Sequence, residues 1–146
     1  MPEVRGCPLP DELLYDVENH IWFQEIGDGN LRLGMTAVAT AMAGRIVAYT
    51  PKRVGRGVKA GRSCATVESG KWVGPAKSAA AGEVIETNDE LAANPGLAND
   101  DPYGAGWLAV LKPEDWASVK PTLTPGTEVA GPYEAKMDAD GFAGCE

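Results

Sequence analysis

Histidine occurs once in 146 residues, cysteine three times, and aromatic side chains make up only 7% of the chain. One histidine with Cys7, Cys64 and Cys145 at wide spacing, and no C-x-x-C pair, leaves none of the usual zinc ligand sets. The same shortage works against nucleophilic catalysis, which needs a nucleophile, a base and an orienting group that can meet. Neither G-x-x-x-x-G-K-[ST] nor G-x-G-x-x-G occurs, so no phosphate-cradling loop is present. No apolar run approaches the roughly 20 residues of a membrane span, and Met1 to Cys7 lacks the apolar core of a signal peptide. A cytosolic protein is expected. Basic charge is also scarce: 13 Lys and Arg against 21 Asp and Glu give −8, a surface that repels nucleic acid and anionic lipid.

Glycine and proline are plentiful, 18 and 11, and 44% of residues are apolar. Such a composition implies one domain with many turns, and a chain of this length buries roughly 70% of the surface it exposes unfolded. The expected unit is residues 1–146, monomeric, with a core of about 15–120 and terminal extensions at 1–14 and 121–146. Strands are predicted over 19–26 and 31–35, joined by the tight loop Gly27-Asp28-Gly29-Asn30. Thr36 is placed to cap a helix over 37–43 that ends at Gly44. Further strands follow over 45–50, 64–69, 72–74, 82–86 and 107–111, with short helices over 88–94 and 113–120. Residues 52–62 read as a solvated, turn-rich connection, and the tail beyond Pro121 carries only weak signals of order.

Each reactive residue type has a plain reading. Cys64 lies in an apolar-flanked run and packs like a small hydrophobe. Cys7 and Cys145 each follow a glycine near a chain end, where backbone is accessible, and are expected to be exposed, reactive thiols that can approach each other. Reduced thiols are the expected state. His20 falls beside Trp22 in a predicted strand, as a packed or capping histidine. Asp100-Asp101 stand before Pro102 in a turn, and Glu114-Asp115 stand in a helix's first turn, where carboxylates favour the free N–H groups. The five basic residues of 52–62 lack an aromatic partner for base stacking; docking to an acidic partner ranks behind simple solvation.

The turn Ser69-Gly70-Lys71-Trp72 stands apart. Glycine at the first central position of a two-residue loop suits a type II′ turn, with positive φ at Gly70. Lys71 would then project from the apex between Glu68 and Trp72. A lysine held away from the body suits covalent modification rather than catalysis in place. Pattern alone leaves an ordinary solvated lysine as the stronger reading.

The stretch Val67-Glu68-Ser69-Gly70-Lys71, then Gly82-Glu83-Val84, then 88–108 from Asn88-Asp89-Glu90-Leu91 through Pro102-Tyr103-Gly104-Ala105-Gly106-Trp107-Leu108, resembles the glycine cleavage system H protein family. The likeness reaches back to His20-Ile21-Trp22 and Leu33-Gly34-Met35-Thr36, covering roughly 15–113. The resemblance implies a mainly β fold with short helices, the barrel-sandwich hybrid (hammerhead) of lipoyl domains. It also implies lipoic acid amide-linked to the lysine of E-S-x-K, here Lys71, with Glu68, Ser69, Gly70 and Trp72 in the turn that a lipoate-protein ligase or lipoyl transferase recognises. Such a protein is a carrier and not an enzyme, its arm raising the effective concentration of cargo between partner active sites.

This chain departs from the family's usual pattern in Gly70 and Trp72 and in two terminal pieces, Gly6-Cys7-Pro8 and Lys136 to Cys145. Those departures resemble the H-protein-like lipoate-binding proteins of sulfur oxidation. That likeness implies a heterodisulfide-reductase-like complex as partner, with dihydrolipoamide dehydrogenase as another, and Cys7 and Cys145 as redox candidates. Sulfur carriage is therefore the first expectation and glycine cleavage, with its aminomethyl cargo, the second. An interaction module that has lost lipoylation, with Trp72 blocking the ligase, is the third.

Overall fold

The computed structural model describes residues 3–145; Met1, Pro2 and Glu146, which belong to the two extensions, lie outside them. Near the N-terminus β1 (Glu3–Val4) and β2 (Cys7–Pro8) form a small antiparallel pair. β3 (Leu14–Asp16), β4 (Ile21–Glu25) and β5 (Leu31–Met35) follow as antiparallel neighbours. Helix α1 (Ala37–Ala43) starts at Thr36, whose side chain accepts from the Ala39 N–H, and stops at Gly44, where φ is 87°. Both caps are those expected from the local residues. β6 (Ile46–Pro51), β7 (Gly57–Val58), β8 (Arg62–Ser69), β9 (Val73–Ser78) and β10 (Gly82–Thr87) come next. The chain continues through α2 (Asp89–Ala93), α3 (Leu97–Asp100), β11 (Ala109–Pro113), α4 (Trp116–Val119), β12 (Thr124–Pro125) and α5 (Ala130–Asp140).

Seven strands make one sheet in the order β12-β3-β4-β5-β11-β10-β7, and β6-β8-β9 make a second. The architecture is mainly β with short helices, as expected. Both sheets are open: among the described residues their edge strands do not pair across, so the two form a sandwich without a closed barrel. One apolar cluster lies between the sheets, joining Ile21, Phe23, Leu31 and Leu33 of the larger to Ile46, Cys64, Ala65, Val67 and Ala76 of the smaller.

Alternation along β4 creates a second cluster on the other face. Ile21 and Phe23 point into the sandwich while Trp22, between them, points outward. Its indole lies over Gly34, its cross-strand partner, where a Cβ would come 2.8 Å from the ring. The indole nitrogen donates to the Pro102 carbonyl at 3.0 Å. What covers Trp22 is assembled from both ends of the chain: Val4, Cys7, Leu9 and Tyr15 from one, Val129, Tyr133 and Met137 from the other.

Several local expectations change here. The tail contains α5, eleven residues long, with Tyr133 and Met137 buried one turn apart. Gly131 and Pro132 weaken its signal, although Pro is tolerated in a first turn. Residues 52–62 are not a free loop: β7 pairs with β10, and Gly55 N–H and Val84 N–H bond across to Val84 and Arg56 carbonyls. His20 stands just before β4, in a turn at φ 58°. Among the described residues no helix is long and apolar enough to cross a membrane.

Candidate functional site

Strands β8 and β9 run antiparallel to a two-residue tip, Gly70-Lys71, closed by the Ser69 N–H donating to the Trp72 carbonyl at 2.7 Å. Strand alternation buries Val67 and Ser69 and turns Glu68 outward. Ser69 is the pin of this turn. Its Oγ donates to the Ala43 carbonyl at 2.5 Å and accepts from the Lys71 N–H at 3.3 Å, so the hairpin is tied to the last turn of α1. That last turn is itself braced by Asn99, whose amide donates to the Gly44 carbonyl at 3.0 Å while its oxygen accepts from the Ile46 N–H at 2.8 Å.

Lys71 is exposed. Its aliphatic stem crosses Gly44, where a Cβ would come 3.2 Å from Cε, so the glycine that ends α1 also clears room for the lysine. No carboxylate among the described residues forms an ion pair with it. Gly70 differs from the type II′ expectation: it is not among the positive-φ residues, and a Cβ there would meet open space. Ser69, by bonding the Lys71 N–H, shapes the tip in place of a glycine-specific turn. Trp72 is 40% exposed, and its indole folds along β9 over Gly74, where any side chain would collide with it.

Beside Lys71 and Trp72 opens a groove of about 500 Å³. Its walls are mostly apolar: Ile21 and Met35 from the large sheet, Ala39, Met42 and Ala43 from α1, and Val67, Pro75 and Ala76 from the small sheet. Asn19 and His20 supply the polar edge, and among the described residues no Asp or Glu lines it. His20 is held from behind, Nδ1 at 2.8 Å from the Tyr133 hydroxyl, which also lies 2.7 Å from Thr36 Oγ1. Its Nε2 stands 3.4 Å from Asp140. Burial lowers the histidine's pKa below its ordinary 6.5, outweighing the attraction of Asp140. The groove's edge is therefore a neutral imidazole near neutral pH.

Sequence reading identified the tip but not this groove. Its lining comes from three separated segments, 19–21, 35–43 and 67–76, and no spacing rule joins Met42 to Pro75. Ser69, Lys71 and Trp72 are brought together; Glu68 faces away from them on the outer side of β8. Cys7 and Cys145 are absent from the groove. They are joined in a disulfide, Cα–Cα 5.1 Å, with Cys7 fully buried in the second cluster, so they are neither exposed nor reduced. The reason is the apolar packing of Val4 and Leu9 with Tyr133 and Met137, which carries the two ends together. Cys64 is the free cysteine, and burial pushes its thiol up to about 12.

Comparison with known proteins agrees with this geometry. The chain matches the family described as Glycine cleavage H-protein over residues 13–135. It is 51% identical over 134 residues to glycine cleavage system H protein 5 of Aquifex aeolicus, covering 89% of this chain and 90% of that one. It is 38% identical to probable glycine cleavage system H protein 2 of Sulfurisphaera tokodaii, covering 89% of each. The crystal structure of a glycine cleavage system H protein from Mycobacterium marinum superposes with a TM-score of 0.75 at 34% identity, covering 86% of this chain and 98% of that one.

Proposed function

Since this chain belongs to the glycine cleavage H-protein family, whose members carry a lipoyl group covalently on a lysine, we propose that Lys71 is the attachment point and that the protein is a lipoyl carrier. The observation that carries this reading is the exposed Lys71 side chain on a tip pinned by Ser69. The residues present fit the group: the amine is free for acylation, and the adjoining groove is apolar and wide enough to shelter a hydrocarbon arm. When attached, the arm supplies a dithiolane that opens to two thiols and holds cargo. The chain's own residues display and steer it. Ser69 fixes the direction in which Lys71 leaves the surface, Gly44 makes room for the stem, and Trp72 and Met42 offer a water-poor wall.

Because the relatives named above are glycine cleavage system H proteins, the aminomethyl cargo is the first reading and moves ahead of sulfur carriage. Sulfur carriage stands second, and one observation favours it. A protonated amine at the arm's end would find no carboxylate among the described residues of the groove, and desolvating an unpaired cation costs several kcal/mol, whereas a sulfur cargo brings no cation to desolvate. A lipoate-protein ligase or lipoyl transferase is needed on either reading. Glycine decarboxylase belongs to the first, a heterodisulfide-reductase-like complex to the second, and dihydrolipoamide dehydrogenase serves either.

Intact mass of protein from its own host tests the carrier: one lipoyl increment is expected, absent in Lys71→Arg. An unmodified native chain would sink it in favour of a plain interaction module. Incubation of lipoylated protein with glycine decarboxylase, pyridoxal phosphate and glycine should then add an aminomethyl group. No adduct, together with loading of sulfane sulfur from a persulfide donor, would reverse the order of the two readings.

A further inference from the structure

Seven of the 13 basic residues but only one of the 21 acidic ones, Glu68, lie within 52–77, so this segment carries +6 and the rest of the chain −14. The fold gathers these charges rather than dispersing them. Lys52, Lys59, Arg62 and Lys77 are exposed and line an open cleft of about 580 Å³ with Ser63 and Pro75, and among the described residues no carboxylate lines it. None of the four forms an ion pair among the described residues, although the molecule is acidic overall. Its frame is hydrogen-bonded: Lys52 N–H donates to the Cys64 carbonyl, Arg62 N–H to Lys59, and Gly61 N–H to Ser78. Pro75 borders both this cleft and the groove beside Lys71, so one begins where the other ends.

We propose that the basic cleft is a docking site for an acidic protein surface, presented by an enzyme that works on the arm at Lys71. The assignment of that partner rests on the carrier reading; the charge complementarity does not. Four unpaired cations held on a rigid frame raise the local concentration of an acidic patch and orient it, and the effect weakens as salt screens it. The −14 on the rest of the chain repels any polyanion long enough to extend beyond the cleft, and no aromatic side chain lines the cleft to stack a base. A local acidic patch on a folded partner satisfies both conditions. Approaching there, it would place its active site next to the groove and the lysine tip.

The test uses the unlipoylated full chain, so that docking and modification fail independently. A short oligo-glutamate peptide titrated into labelled protein should perturb backbone amides of 52–63 and 75–77, weakening as ionic strength rises to about 0.15 M. The charge reversal Lys59→Glu/Arg62→Glu should reduce affinity at least about tenfold, and the milder Lys52→Gln/Lys77→Gln should reduce it less, while Lys120→Glu, beside Glu25 and away from the cleft, leaves it unchanged. Perturbations scattered over the molecule, or equal binding by the reversed variant, would overturn the proposal. So would equal occupancy by inorganic phosphate, which would make the cleft a small-anion site, or tighter binding of a single-stranded oligonucleotide.

Discussion

At the lysine tip the contacts that shape the site join near neighbours, Ser69 with Lys71 and Trp72, and reach no further than α1. At the opposite face they join residues more than a hundred positions apart: Arg5 with Asp138, Cys7 with Cys145, His20 with Tyr133. The first region displays a side chain while the second immobilises one, His20, which borders the same groove. Turn chemistry presents the amine once Ser69 is tied to the Ala43 carbonyl, 26 positions back. Holding a histidine at φ 58° behind the groove takes buried partners from the far end of the chain.

Breaking the disulfide should have the largest effect and should separate the two regions. Cys7→Ala/Cys145→Ala removes a cross-link spanning 138 positions, and loss of about 2–5 kcal/mol is expected in urea unfolding, with lipoylation of Lys71 unchanged at 25 °C. Lost lipoylation at equal foldedness would show that the regions are coupled. Ser69→Ala should do the converse: about 1–2 kcal/mol from the Ala43 carbonyl and Lys71 N–H left without their partner, but a marked drop in the rate of lipoyl transfer, read by intact mass over time.

Acidification acts on the second region through His20. His20 binds its proton less readily in the fold than at its ordinary 6.5, because burial penalises the cation. The unfolded chain therefore gains protons first as pH falls through about 6.5, so the contribution is intact above that pH and is lost below it. Thermal melts of His20→Asn, which tolerates the same backbone, should show a shallower fall in Tm over this range than the parent; an identical fall would remove His20 as the cause. The smallest effect belongs to Gly70→Ala. With no positive φ and open space at the Cβ, it should shift stability by no more than about 1 kcal/mol, in the stabilising direction. A large loss would restore the type II′ turn.

Much of the frame was legible because its signals are local. Thr36 and Gly44 bound α1, Asn88 caps α2 through the Leu91 N–H, and the β4–β5 pair follows from two alternating runs around Gly27 to Asn30. The lysine tip was legible for the same reason. Illegible were α5, whose Gly131 and Pro132 mask a helix held by two buried side chains, and the groove, whose walls share no sequence interval. The terminal cysteines were visible as candidates for approach, but not their burial, which depends on apolar packing between the chain's two ends.

By itself, then, the amino-acid order determined the short strands, their caps and turns, and the lysine at an apex, since backbone hydrogen bonding and side-chain alternation act over a few residues. Folding in three dimensions settled that Ser69 rather than Gly70 shapes the tip, that Cys7 is buried and joined to the half-buried Cys145, that burial lowers the pKa of His20 at a groove edge, and that the basic residues share a cleft. Each of those depends on which distant surfaces bury one another, and apolar burial is non-directional, so no local pattern specifies its partners.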